Sequence, residues 1–143
     1  MKLIVDASVA LKWFLSDEPG AEQAVRILET EGELLAPEWI VPEVSNAVWK
    51  MIRSGRIGKG PGEEIVSRLP RFFSRLIPVV EESSQALAIA LRIDHPIYDC
   101  YYLALAEREN VPPVTADGRL VSCLTNTPWA HRVISLEQWG PMP

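Results

Sequence analysis

Residue types that build most enzyme centres are scarce in this chain. Its 143 residues include only two cysteines and two histidines. Cys100 and Cys123 form no C-x-x-C pair, which excludes a zinc ribbon and a thioredoxin-type redox motif. Both are expected to be reduced packing residues, Cys100 inside a buried helix and Cys123 near a loop. His95 and His131 are far apart and lack zinc-ligand spacing. No Gly-x-Ser-x-Gly elbow and no Ser-His-Asp arrangement is present. Long apolar runs are missing too. None approaches the roughly 20 residues that cross a bilayer, so no membrane partner is expected. The opening run, Leu3-Ile4-Val5, is broken by Asp6 too early for a signal peptide, and the expected compartment is the cytoplasm. The glycine-rich stretch Gly55–Gly62 is no phosphate loop, because Lys59 is followed by Gly60 rather than Ser or Thr and no strand precedes it. It reads as the one flexible connection.

What remains is an ordinary globular composition, 48% hydrophobic and 23% charged, and a length that fits one domain over residues 1–143. The net charge of −5 argues against nucleic-acid binding by bulk electrostatics. The charge is unevenly spread, however. Between positions 50 and 75 lie Lys50, Arg53, Arg56, Lys59, Arg68, Arg71 and Arg75 against Glu63 and Glu64, a local +5 that leaves −10 elsewhere. This stretch is either a solvated helical face or a surface for phosphates or a partner protein.

Short apolar runs at Leu3–Val5, Leu34–Ala36, Ile77–Val80, Val114–Ala116 and Arg132–Ile134 read as strands. Helical patterns lie between them, such as Ala21, Ala24, Val25 and Leu28, then Val44, Ala47, Val48 and Met51. Pro42 suits a helix's first turn, Ser83 or Ser84 a cap, and Pro70 a break in the helix around it. Alternating strands and helices predict a parallel sheet covered on both faces. In such sheets ligands bind beyond the strands' carboxyl ends, where the strand order reverses.

Four carboxylates fall at strand ends or helix starts, and they would meet in such a crevice if the first and fourth strands are neighbours across the reversal. Asp6 ends the first apolar run, Glu43 follows Pro42, Asp99 heads the most apolar helix and Asp117 closes Val114-Thr115-Ala116. Each has a structural alternative. Asp6 suits an N-cap, Glu43 a favourable charge in a first helical turn, and Asp117 an Asx turn. Asp99 is hardest to explain this way, as the one acid in a helix expected to be buried. Asp94, nearby, reads as a cap. Four converging carboxylates would repel one another, and a hard divalent cation would relieve that. An all-oxygen set without His or Cys suits Mg²⁺, with Mn²⁺ able to substitute, and magnesium favours phosphodiester chemistry.

The ordered segments Val5-Asp6-Ala7-Ser8-Val9-Ala10-Leu11-Lys12-Trp13, Pro42-Glu43-Val44-Ser45-Asn46-Ala47, Tyr98-Asp99-Cys100-Tyr101-Tyr102-Leu103-Ala104-Leu105-Ala106 and Thr115-Ala116-Asp117 resemble PIN-domain ribonucleases of the VapC toxin type. The resemblance implies a three-layer α/β/α fold with a five-stranded parallel sheet in order 3-2-1-4-5. It further implies Asp6, Glu43, Asp99 and Asp117 as a catalytic, metal-binding set, with Ser8 and Thr115 as hydroxyl residues orienting it. The implied activity is Mg²⁺-dependent hydrolysis of RNA, and the implied partners are an antitoxin protein and a second copy in a homodimer. Lys50, Arg53 and Arg56 are the candidate RNA or antitoxin surface. Gly118 departs from the family, which often has a charged residue there, and Arg119 stands next to it. Two alternatives remain at this point. A non-catalytic PIN-like RNA- or protein-binding module has no need to keep four acids, and an aspartyl phosphatase wants a second Asp where Ser8 stands.

Overall fold

A computed structural model describes residues 1–140 of the chain. The apolar tripeptide Leu3-Ile4-Val5 forms the core of strand β1 (Lys2–Val5), with Ile4 and Val5 fully buried. Helices α1 (Ala7–Lys12) and α2 (Ala21–Leu28) lead to β2 (Glu33–Pro37), which is followed by α3 (Ile40–Arg53) and α4 (Lys59–Arg68). The edge strand β3 (Arg75–Ile77) precedes α5 (Ser83–Ile93) and α6 (Ile97–Glu109). The chain then forms β4 (Pro113–Thr115), α7 (Gly118–Leu124) and β5 (Ile134–Ser135). All strand pairs are parallel, in the order β3-β2-β1-β4-β5. Helices cover both faces, giving the α/β/α layering expected.

Helix α6 is buried nearly all round, as its sequence predicts. Its Tyr102, Leu105 and Ala106 join the main core against the sheet. Its Cys100, Leu103 and Ala104 join a second core with Ile89 of α5 and Leu120 and Leu124 of α7. Both cysteines are free, and burial pushes the Cys100 thiol up to about 12, which suits an inert packing residue.

Several local boundaries differ from the sequence reading. The third strand lies at 75–77 rather than 77–80, since beyond Ile77 its partner β2 has already turned toward α3. The fifth lies at 134–135, opposite Val114 and Thr115, because Arg132 would fall beyond the start of β4. Neither Ser83 nor Ser84 caps α5. Glu82 occupies the cap position, and the Ser83 hydroxyl instead pairs with the Tyr101 hydroxyl at 2.8 Å. Val25 faces solvent, and Ile27 takes its place in the core. Pro70 does end α4, which tightens into a 3₁₀ turn over Leu69–Phe72.

The second half of the Gly55–Gly62 segment is helical rather than flexible. Gly62 lies buried in α4 where that helix crosses α3. A Cβ there would sit 2.5 Å from Ile52 Cδ1 and 3.1 Å from Val48 Cγ1. Only a residue without a side chain permits this approach, and α3 carries Glu43, Lys50 and Arg53. A Gly62→Val substitution is therefore expected to lower stability by about 1–3 kcal/mol through overpacking, read as a lower urea midpoint. An unchanged midpoint would show that the two helices do not pack this closely.

Candidate functional site

Between β1 and β4 the strand order reverses, and the crevice beyond their carboxyl ends is lined by residues from both. Asp6 is the residue after β1 and its amide donates to Val114 O at 3.2 Å. It also caps α1, with Val9 N donating to Oδ1 at 3.2 Å. The structural and functional readings of Asp6 are thus compatible. Its carboxylate is only 4% exposed. The Ser8 hydroxyl donates to Oδ1 at 2.5 Å and the Thr115 hydroxyl donates to Oδ2. The Ser8 Oγ also accepts from Ala116 N at 2.9 Å, and Thr115 Oγ1 accepts from Asp117 N at 3.0 Å. Two hydroxyls therefore lock the end of β4 to the buried acid.

Glu43 reaches the same crevice from the first turn of α3, since that helix starts at this edge of the sheet. Tyr102, one turn along α6 from Asp99, is 1% exposed and donates its hydroxyl to Glu43 Oε1 at 2.7 Å. Asp99 lies in the first turn of α6. Its Oδ2 is 2.6 Å from His95 Nε2, and its side chain keeps 23% of its surface exposed. Asp99 is therefore half-buried, not the deeply buried acid its sequence setting suggests. Its helix is buried, but the first turn emerges at the crevice mouth. Asp6 is the buried acid.

Burial raises the Asp6 carboxyl to about 6, against the opposing effect of its Ser8, Thr115 and Val9 hydrogen bonds and with a contribution from the charge of Asp99. Burial raises Glu43 to about 7, Tyr102 opposing and the charges of Asp6 and Asp99 adding to it. Burial and these same charges drive Tyr102 well above its ordinary value, so its hydroxyl remains a donor. Asp6, Glu43 and Asp99 thus share one electrostatic environment.

Asp117 stands apart. It follows β4 by one intervening residue and caps α7, with Arg119 N donating to Oδ1 at 2.9 Å. It lines a cavity of about 540 Å³ with Lys12, Gln23 and Thr115, in which none of the other three acids takes part. Its link to them runs through Thr115. Gly118 opens α7 in free space and without a positive φ, so the backbone makes no demand for glycine there.

Among the described residues, no three His, Cys, Asp or Glu side chains stand close enough together to enclose an ion. The donor set nevertheless fits a hard divalent cation. It consists of carboxylate oxygens of which burial, with a smaller contribution from neighbouring charges, pushes two upward, an effect a cation would oppose. Glu43 and Asp99 are each held by one neighbour, Tyr102 and His95. The sequence reading overlooked these two partners, as well as Lys12. Only spacing signals them: Tyr102 stands at i+3 from Asp99 on α6, and His95 four residues before Asp99, just ahead of that helix. The rings of Trp39 and Tyr98 stack at 5.5 Å, both exposed, next in sequence to the starts of α3 and α6.

Of the candidate basic residues, Lys50 and Arg56 line a second groove with Ser8. Arg53 stands on the exposed face of α3 over the Trp49 ring, 5.3 Å from its centroid. The rest of the basic stretch is dispersed, with Lys59, Arg68 and Arg75 paired to Glu63, Glu64 and Glu109.

Comparison with known proteins places these features in a family. Residues 3–122 match the PIN domain model. The chain is 33% identical to Ribonuclease VapC3 of Pyrobaculum aerophilum over 84% of its length and 92% of that protein's. It is 31% identical to Ribonuclease VapC9 of Mycobacterium tuberculosis over 82% and 87% respectively. The crystal structure of PAE2754 from Pyrobaculum aerophilum superposes with a TM-score of 0.71 at 21% identity, covering 96% of this chain and 85% of that one. That of Mycobacterium tuberculosis VapC20, a Sarcin-Ricin loop cleaving toxin, gives 0.66 at 16% identity, covering 84% and 93%. At these identities the structures establish likeness of fold.

Because Asp6 and Glu43 bind protons more tightly in the folded chain than their ordinary values of 3.8 and 4.5, stability contributed by their protonated forms is lost as pH rises. The loss runs from the ordinary carboxylate range up through about 7 and amounts to a few kcal/mol, roughly 1.4 kcal/mol per unit of difference. Denaturant titrations of metal-free protein are expected to show this decline relative to an Asp6→Asn, Glu43→Gln variant. Parallel pH profiles of the two proteins would contradict it.

Proposed function

The chain belongs to the PIN-domain family, in its VapC branch, and from that premise we propose that it is a metal-dependent endoribonuclease acting as the toxin of a toxin–antitoxin pair. The observation that carries the reading is the electrostatic grouping of Asp6, Glu43 and Asp99, acids from three separate elements at the sheet's reversal point. There the charge of Asp99 adds to the burial that raises Asp6, and the charges of Asp6 and Asp99 add to the burial that raises Glu43. Mg²⁺, or Mn²⁺ in its place, would be held by these three, with Asp117 completing the set across Thr115. When bound, such an ion supplies an activated water and neutralises charge on a phosphodiester. Ser8 and Thr115 fix the Asp6 carboxylate by occupying one oxygen each. Tyr102 and His95 hold Glu43 and Asp99 ready at the crevice mouth. Loading the ion requires Asp6 and Glu43 to shed their protons, so ion affinity rises with pH through about 7.

The substrate is RNA, as the names of the VapC ribonucleases state for those proteins. On this reading residues 1–143 form a single PIN domain that works in the cytoplasm as a homodimer. An antitoxin protein blocks the site. Lys50, Arg53 and Arg56 form the surface for RNA or antitoxin. Among the described residues no helix is long and apolar enough to cross a membrane.

Purified protein is expected to cleave RNA with Mg²⁺ or Mn²⁺ and to stop on addition of EDTA. Asp6→Asn and Asp99→Asn should each lower the rate by roughly 100-fold or more, the scale on which lost electrostatic stabilisation acts. Gel analysis of a mixed RNA substrate reads this directly. Cleavage that continues in EDTA, or undiminished in both variants, sinks the assignment.

A further inference from the structure

Beside the acid crevice lies a second groove of about 380 Å³, whose lining includes Ser8, Lys12, Glu18, Lys50, Arg56 and Ala116. Its floor is part of the site already described, since Ser8 Oγ binds Asp6 and accepts from Ala116 N. Three cations line it, and they come from three places in the chain: α1, α3 and the turn after α3. One anion stands among them. The Glu18 carboxylate receives the Arg56 guanidinium on Oε1 and has the Lys12 ammonium 3.6 Å from Oε2. These partners hold it below the usual carboxylate range, the Arg56 hydrogen bond contributing most. A guanidinium and an ammonium converging on two oxygens of one anion is the geometry that receives a phosphate.

We propose that Lys12 and Arg56 form a subsite for a backbone phosphate of the RNA flanking the scissile bond, and that Glu18 occupies it as an internal stand-in until RNA displaces it. The inference rests on the ribonuclease reading for the identity of the polyanion. Glu18 is well placed for release. Its side chain lies at the groove, and its backbone is tied independently, its amide donating to Leu15 O and its carbonyl accepting from Ala21 N. Lys12 has a second tether in Pro19 O at 2.8 Å, so it stays in place when Glu18 leaves. A phosphate arriving without displacing Glu18 would meet a cation pair already half neutralised.

The consequence has a definite sign. Removing the charge of Glu18 strengthens RNA binding, where loss of an organising residue would weaken it. The test measures binding of a fluorescein-labelled mixed-sequence single-stranded RNA by anisotropy in EDTA, across a series of salt concentrations. Glu18→Gln is expected to tighten binding about fivefold at low salt and to steepen the log–log salt slope by roughly 0.7, the contribution of one further phosphate. In an Arg56→Gln background the same substitution should gain less than about twofold, because the two act as one unit. Thermal unfolding of each variant checks that it is folded. Unchanged or weaker binding by folded Glu18→Gln, an equal gain in both backgrounds, or no RNA binding by any form overturns the subsite. The expected pattern in a protein that never cleaves RNA with Mg²⁺ or Mn²⁺ would instead leave the subsite standing and remove the nuclease reading.

Discussion

The buried carboxylate of Asp6 is the constraint around which the rest of the crevice is arranged. Such a group is costly unless its oxygens are satisfied. Here every bond that satisfies them also fixes backbone. The Val9 amide starts α1, the Ser8 hydroxyl ties that helix to Ala116, and the Thr115 hydroxyl ties the end of β4 to Asp117. The hydrogen bonds lower the cost without cancelling it, which is why Asp6 still lies near 6. The remaining imbalance leaves the site with a standing preference for added positive charge.

That preference extends to Glu43 through α6. Tyr102 is among the largest fully buried side chains, and the core that surrounds it makes ionisation of its phenol unfavourable. A phenol that cannot give up its proton donates steadily to Glu43, and so the packing of α6 between two cores sets the position of an acid on α3. Asp99, on the same helix, is paired with His95 in the connection just before it. The charges of the crevice are therefore organised by helix burial, and the acids nearest the mouth are held by neighbours rather than by one another.

How far the sequence reveals this differs by residue. The alternation of strands and helices and the positions of Asp6 and Asp117 at strand ends follow from local signals: apolar runs, turn residues and caps. The strand order and the reversal between first and fourth come only with the family resemblance. The edge strands are less legible, because Arg75–Ile77 and Ile134–Ser135 end where their partners end, and a partner is not a local property. Glu43 and Asp99 are less legible for the same reason. A charge in a first helical turn reads as a partner of the helix dipole, yet Glu43 meets a tyrosine 59 positions away. An acid in an all-apolar helix reads as buried, yet Asp99 sits where that helix emerges. Periodicity reports which face of an element is apolar, and it does not report where along its length the cover stops.

The excess of negative charge also looks at first unsuited to a polyanionic substrate, and the geometry removes the difficulty. Charges further than about 8–10 Å apart in solvent are largely screened at ordinary ionic strength. The net −5 of the chain therefore matters less to an arriving strand than the groups lining its path. On one side of the crevice that path is bordered by Lys12, Lys50 and Arg56. At its centre stand acids whose repulsion of a phosphate would be reversed by a bound divalent ion. The same carboxylates would thus act in opposite directions with and without the ion. On the proposed reading, the metal-free crevice would disfavour the phosphate that the neighbouring cations attract, and the loaded crevice would continue their attraction. Attraction along the groove and exclusion at its centre would then be governed separately, the first by the proposed Lys12–Glu18–Arg56 subsite and the second by occupancy of the acids.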